Sequence, residues 1–125
     1  MVTQQVQANT GYLTARVTSN TTVQNAFVVP YGMIGIIESI TVDNQSAALR
    51  TINILDSFTP TVSNQVASPA AQNPTLWTGS AVQAANPLRS GPSELGGGIR
   101  ILGTCQVTGD AIAATCVITI KYRLI

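Results

Sequence analysis

The chain has 125 residues, enough for one domain, and only 9% of them are charged, against about 25% in an ordinary soluble protein. The formal net charge is +1, and the sequence shows none of the clustered Lys and Arg that nucleic-acid binding requires. Histidine is absent, which removes the usual general base, the Ser-His-Asp arrangement and the commonest metal ligand together.

Polarity comes instead from Thr, Ser, Asn and Gln, while the hydrophobic share of 45% is ordinary. A surface poor in charge repels little and favours association, so much of the exterior is expected to be covered in use. Met1-Val2-Thr3-Gln4-Gln5 has neither the basic start nor the apolar run of a secretion signal. No apolar stretch reaches the roughly 20 residues of a membrane helix; Phe27 to Ile37 is interrupted by Pro30, Gly32 and Gly35. The expectation is a protein made in the cytoplasm without a membrane partner.

Residues 1–11 are polar and uncharged and read as an N-terminal arm, either loose or ordered on a neighbour. Residues 12–125 read as one β domain. Tyr12 to Thr18 alternates well enough for a first strand, and Ser19 to Thr22 is a turn. Val23 to Val29 predicts a second strand, stopped by Pro30, which lacks a ladder N–H. Met33 to Val42 is the strongest β segment of the first half, with Gly35 marking a bulge that resets the face. After the turn Asp43 to Ser46, Ala47 to Asp56 predicts another strand, with Ala48, Ile52 and Ile54 on one face. The short turn between them predicts a hairpin.

Residues 57–98 hold five of the six prolines and read as loop-rich, with short strands near Thr75–Trp77 and Ala81–Ala85, because so long a structureless loop does not suit a compact domain. Ile99 to Thr108 and Ala113 to Leu124 are strands around Gly109-Asp110, again read as a hairpin. In the last, Cys116, Ile118, Ile120, Tyr122 and Leu124 alternate with Thr115, Val117, Thr119, Lys121 and Arg123. That period of two is a half-buried strand, with its basic residues on the solvated face. No helical stripe occurs. Seven or eight short strands predict an all-β antiparallel sandwich or jelly roll.

Nothing in the sequence assembles a catalytic site, and neither a cofactor nor a metal is expected. Of the five carboxylates, Glu38 and Asp56 come nearest on the first predicted hairpin, but they read more simply as solvated or Arg-paired than as a glycosidase pair. Asp43-Asn44-Gln45-Ser46 offers too few converging charges for calcium. Gly96-Gly97-Gly98 lacks the Lys-Ser/Thr of a phosphate loop and reads as a bend. In the last hairpin, Cys105 and Cys116 would face each other, with Cβ atoms about 4.5–5.5 Å apart against a disulfide optimum of about 3.8 Å. A disulfide and a buried thiol pair are both open, and the missing secretion signal favours reduced thiols. Trp77, the only tryptophan, either caps the core or stands exposed as an anchor or a sugar-stacking ring.

Phe27-Val28-Val29-Pro30-Tyr31-Gly32 leading into Ile36 to Ser46 resembles a hairpin of small β-sandwich proteins from tailed-phage virions. Pro87-Leu88-Arg89-Ser90-Gly91 and Val107-Thr108-Gly109-Asp110 resemble a strand start and a Gly-Asp turn near the end of such domains. The likeness covers about residues 27–56 and 87–125, and nothing aligns over 57–86. It implies a structural protein of the virion: a capsid decoration (cement) protein, or a module of a head or tail fibre. The resemblance implies a capsid or other virion protein as partner and a homo-oligomer, and it transfers no catalytic or ligand residue. The residues expected to carry contacts are Val2, Thr3, Gln4, Gln5 and Val6 of the arm, with Trp77 and Leu88. The alternative is a carbohydrate-binding adhesin module using Trp77, with Asn73, Gln83 and Asn86 as hydrogen-bonding groups.

Overall fold

The computed structural model describes residues 11–60, 70–84, 86–91 and 94–125. The arm residues Val2 to Thr10 lie outside them. Among the described residues no helix forms and nine strands do: β1 (Leu13–Ser19), β2 (Gln24–Val28), β3 (Gly35–Asn44), β4 (Arg50–Ser57), β5 (Thr75–Ala81), β6 (Leu88–Ser90), β7 (Ile99–Ile101), β8 (Thr104–Gly109) and β9 (Ala113–Leu124).

They make two antiparallel sheets packed face to face, a β-sandwich as the alternation predicts. The first sheet runs β1-β9-β3-β6, with β7 also pairing β3, and the second runs β2-β8-β4-β5. β6 pairs Ile40 to Val42 and β7 pairs Gly35 to Ile37, so the two are halves of one position beside β3. Eight strand positions result. The pairs β1–β9, β2–β8, β3–β6/β7 and β4–β5 are those of one long antiparallel hairpin rolled up on itself. Rolling brings β9 against β3 and β8 against β4. This is jelly-roll connectivity.

That connectivity overturns both predicted hairpins. β3 and β4 lie in different sheets, as do β8 and β9, so each intervening turn is an arch across the sandwich. An arch cannot close with the cross-strand ladder of a hairpin; Gln45 N–H reaches the Thr115 carbonyl and Asp110 N–H the Thr51 carbonyl, and buried polar side chains add to these bonds. Asn44, 2% exposed at the end of β3, donates to the carbonyls of Ala48 (2.9 Å) and Ala81 (2.7 Å) and accepts from the Ser46 N–H (2.9 Å). At the second arch the buried Ser19 hydroxyl donates to the Ala111 carbonyl (2.7 Å), and Gly109 leaves room for it, because a Cβ there would collide with Ser19 Oγ.

The predicted strand Ile99 to Thr108 is likewise two strands, because the chain changes sheets at Leu102-Gly103. Asp56, expected to be solvated or Arg-paired, is 2% exposed and accepts the Leu102 N–H (2.8 Å) and the Gly103 N–H (3.0 Å) at that crossing. The bulge of β3 falls at Glu38, not Gly35: Ile37 pairs Tyr122 and Ser39 pairs Lys121, leaving Glu38 extra. Gly35 serves close packing, since a Cβ there would lie 2.9 Å from Val29 Cγ2. The strand expected at Ala81–Ala85 does not form; β5 ends at Ala81, and β6 was not foreseen.

The core lies between the sheets. Ile37, Ile40, Ile118 and Ile120 of the first face Ile52, Ile54, Cys105 and Val107 of the second, all essentially without exposure. Each such isoleucine contributes about 1.5–3 kcal/mol by leaving water. Phe27 of the second sheet stacks on Tyr122 of the first, with centroids 3.7 Å apart and planes at 19°.

Candidate binding surfaces

With the inward positions spent on the core, each sheet shows its other face outward. On the second sheet those positions form rows across the strands. Asn25 pairs Gln106, which pairs Leu55; Thr108 pairs Asn53, which pairs Thr78; Thr51 pairs Ser80. Hydrogen bonds run along the rows: Gln106 Nε2 donates to Asn25 Oδ1 (3.1 Å), Thr78 Oγ1 donates to Asn53 Oδ1 (2.7 Å), and the Thr51 and Ser80 hydroxyls lie 3.1 Å apart. None of these outward strand residues carries a charge. Arg50 and Asp56 of β4 are in register with the inward Ala81 and Cys105 and belong to the other side.

The outer face of the first sheet is different in kind. Arg16 pairs Thr119, Thr119 pairs Thr41 and Thr41 pairs Arg89, making one row across four strands. Beside it runs Thr14–Lys121–Ser39, then Arg123–Ile36–Arg100. Five of the six basic residues of the chain thus share one face. The strand carboxylates there are Glu38, which the bulge turns toward Arg123 (Nε to Oε2, 3.2 Å), and Asp43 at the end of the sheet. Lys121 Nζ stands 4.5 Å from the centre of the Tyr12 ring. Spacing along the chain hid this cluster; strand parity combined with the sheet order exposes it.

One end of the sandwich is apolar. Val28, Tyr31, Met33, Leu102 and Ile125 are exposed there, Tyr31 completely. Backbone bonds from Val29 N–H to the Gly103 carbonyl and between Ile34 and Ile125 draw these segments together.

The individual residues singled out from sequence do not form one site. Trp77 lies inward on β5, an edge strand, partly buried against the core, in register with Ile54. Gly79 makes room for its ring, which a Cβ would strike. Trp77 therefore packs as a cap on the core and offers no open stacking platform. Leu88, on β6, also packs partly against the core, and it borders a pocket with Ser80, Val82, Asn86 and Pro87. Trp77 and Asn73 are not part of that pocket, and Gln83 donates to the Gln45 carbonyl (3.3 Å). Val2, Thr3, Gln4, Gln5 and Val6 lie outside the described residues.

Cys105 and Cys116 are buried and unbonded. They do not oppose each other in one sheet: Cys105 is in register with Phe27 and Asp56 in the second sheet, and Cys116 with Asn44 in the first. Burial, with help from the Asp56 carboxylate, pushes the Cys105 thiol up to about 12. Burial also raises Cys116, against a lowering by Arg50. Thiols so placed hold their protons and are poor nucleophiles. Gly96, Gly97 and Gly98 all have positive φ, a bend between β6 and β7. Among the described residues no group of three His, Cys, Asp or Glu could hold a metal ion.

No protein-family model, curated protein or solved structure matches the chain. The resemblance to tailed-phage virion domains therefore rests on the turn and strand residues of 27–56 and 87–125 alone.

Proposed function

We propose that this chain is a structural protein of a phage virion, a decoration protein that docks on capsid shell subunits through the outer face of its second sheet. The observation that carries this reading is the absence of charge among the outward-facing residues of β2, β8, β4 and β5. Desolvating a charge costs far more than desolvating a hydrogen-bonded neutral group, and the cores of protein interfaces are depleted of Lys, Glu and Asp. Asn53, Thr78, Gln106 and Asn25 already bond one another along the rows, so covering them leaves few groups unsatisfied. Jelly rolls also occur in viral capsid domains, although fold alone does not assign function.

Reinforcement would come from repetition. Each contact is modest, and a symmetric shell presents many, so linked copies gain avidity without new contacts. The test is co-sedimentation of the protein with undecorated tailed-phage heads, followed by thermal disruption of the particles. The protein is expected to pellet with the heads and raise their disruption temperature. Asn53→Glu with Thr78→Glu is expected to abolish both effects while the circular dichroism stays unchanged. Failure of the unaltered protein to bind any such head defeats the reading.

A further inference from the structure

We propose that the outer face of the first sheet binds a carboxylate-bearing polysaccharide, a polyuronate. This rests on a different face from the docking surface above and holds whether or not that surface covers a shell.

The argument begins with unused charge. Arg16, Arg89 and Arg100 are exposed and make no ion pair among the described residues. Lys121 is exposed too, its ammonium over the Tyr12 ring. In a chain so poor in charge, three unpaired guanidinium groups on one face stand out. Neighbouring strands lie about 4.8 Å apart and successive outward residues about 6.8 Å. Arg16 and Arg89, on the first and last strands of their row, are therefore about 14 Å apart at the backbone, a span that fits a few sugar units laid across the strands.

The residues between the cations favour a sugar over other anions. Thr119 and Thr41 fill the Arg16–Arg89 row, and Thr14 and Ser39 flank Lys121. Hydroxyls both donate and accept, matching the hydroxyls between the carboxylates of a polyuronate. Arginine presents a planar fork that a carboxylate meets with two parallel bonds. An open depression bordered by Arg16, Thr18 and Val117 lies at one side of the same face. Single-stranded nucleic acid calls for a series of stacking aromatics, and among the described residues this face has the single ring of Tyr12, already under Lys121. A protein partner calls for buried aromatic or aliphatic anchors at its centre, where this face has threonines.

The experiment is affinity electrophoresis and calorimetry of the full chain at low salt. Polygalacturonate is compared with its fully methyl-esterified form, a short DNA duplex and polyglutamate. The expected result is binding to polygalacturonate at least about tenfold tighter than to the other three, weakening as salt rises. Arg16→Gln and Arg89→Gln should each weaken it roughly tenfold, the loss expected for one charge-assisted pair. Asn53→Lys, on the opposite face, should leave it unchanged. Circular dichroism and thermal melting check that the variants fold. No binding to polygalacturonate, equal binding to the esterified polymer, or tighter binding to DNA or polyglutamate overturns the proposal.

Discussion

The two outer faces of this sandwich share one core and have little else in common. The second sheet shows amides and hydroxyls bonded along its rows, without a charge. The first gathers five of the six basic residues of the chain around threonines. A net charge of +1 averages these faces into a featureless whole. The difference teaches that strand parity, and not overall composition, decides what a β-sandwich offers to a partner.

The comparison requires that the faces be held by common packing. Removing core volume from either side should then harm both. Ile120→Ala in the first sheet and Ile54→Ala in the second should each cost about 2–5 kcal/mol in urea unfolding, with one cooperative transition. Two transitions would mean that the sheets are stable separately.

Alkaline pH probes the same core. The folded state holds the Cys105 proton more tightly than the ordinary thiol value of 9.0, up to about 12. Its contribution is therefore fully present below about pH 9 and is lost as pH rises toward 12, by up to about 4 kcal/mol. Burial raises Tyr122 as well, so its loss of stability has the same direction. Cys105→Ala should flatten this alkaline limb in denaturation at stepped pH.

Asp56→Ala should cost about 3 kcal/mol, because it strips two part-buried N–H groups of their acceptor. It should also lower the Cys105 pKa, readable from the pH dependence of thiol alkylation. Smaller still, Thr78→Ala should cost about 1 kcal/mol through the bond to Asn53. Arg16→Gln, on the basic face, should change stability by less than about 0.5 kcal/mol. A large loss from Arg16→Gln would show that the basic face is structural and would erase the contrast.

Much of the fold was legible because alternation survives along strands. β9 coincides with its predicted run, and β1 and β3 lie within two residues of theirs. Partners were not legible. A turn of three to five residues looks the same whether it closes a hairpin or arches over to the other sheet. What decides is a buried side chain such as Asn44, whose partner Ala81 is remote in sequence. Trp77 could not be placed because its inward position depends on Gly79 and on the pairing with Ile54. The basic face was missed for the same reason: Arg16, Arg89 and Arg100 converge only once β1, β6 and β7 are set around β9 and β3.

The last strand in the chain sits between the first and third. β1 has no other sheet neighbour among the described residues than β9, so β1 waits for β9. Until β9 arrives, a chain emerging from the ribosome has an apolar first sheet in pieces. Pairing β1 with β9 closes the longest loop among the described strands, and contacts so remote in sequence form slowly. A variant or fragment that loses the terminal strand would leave the earlier ones with bare edges, a form prone to clump with its own kind before any partner is met.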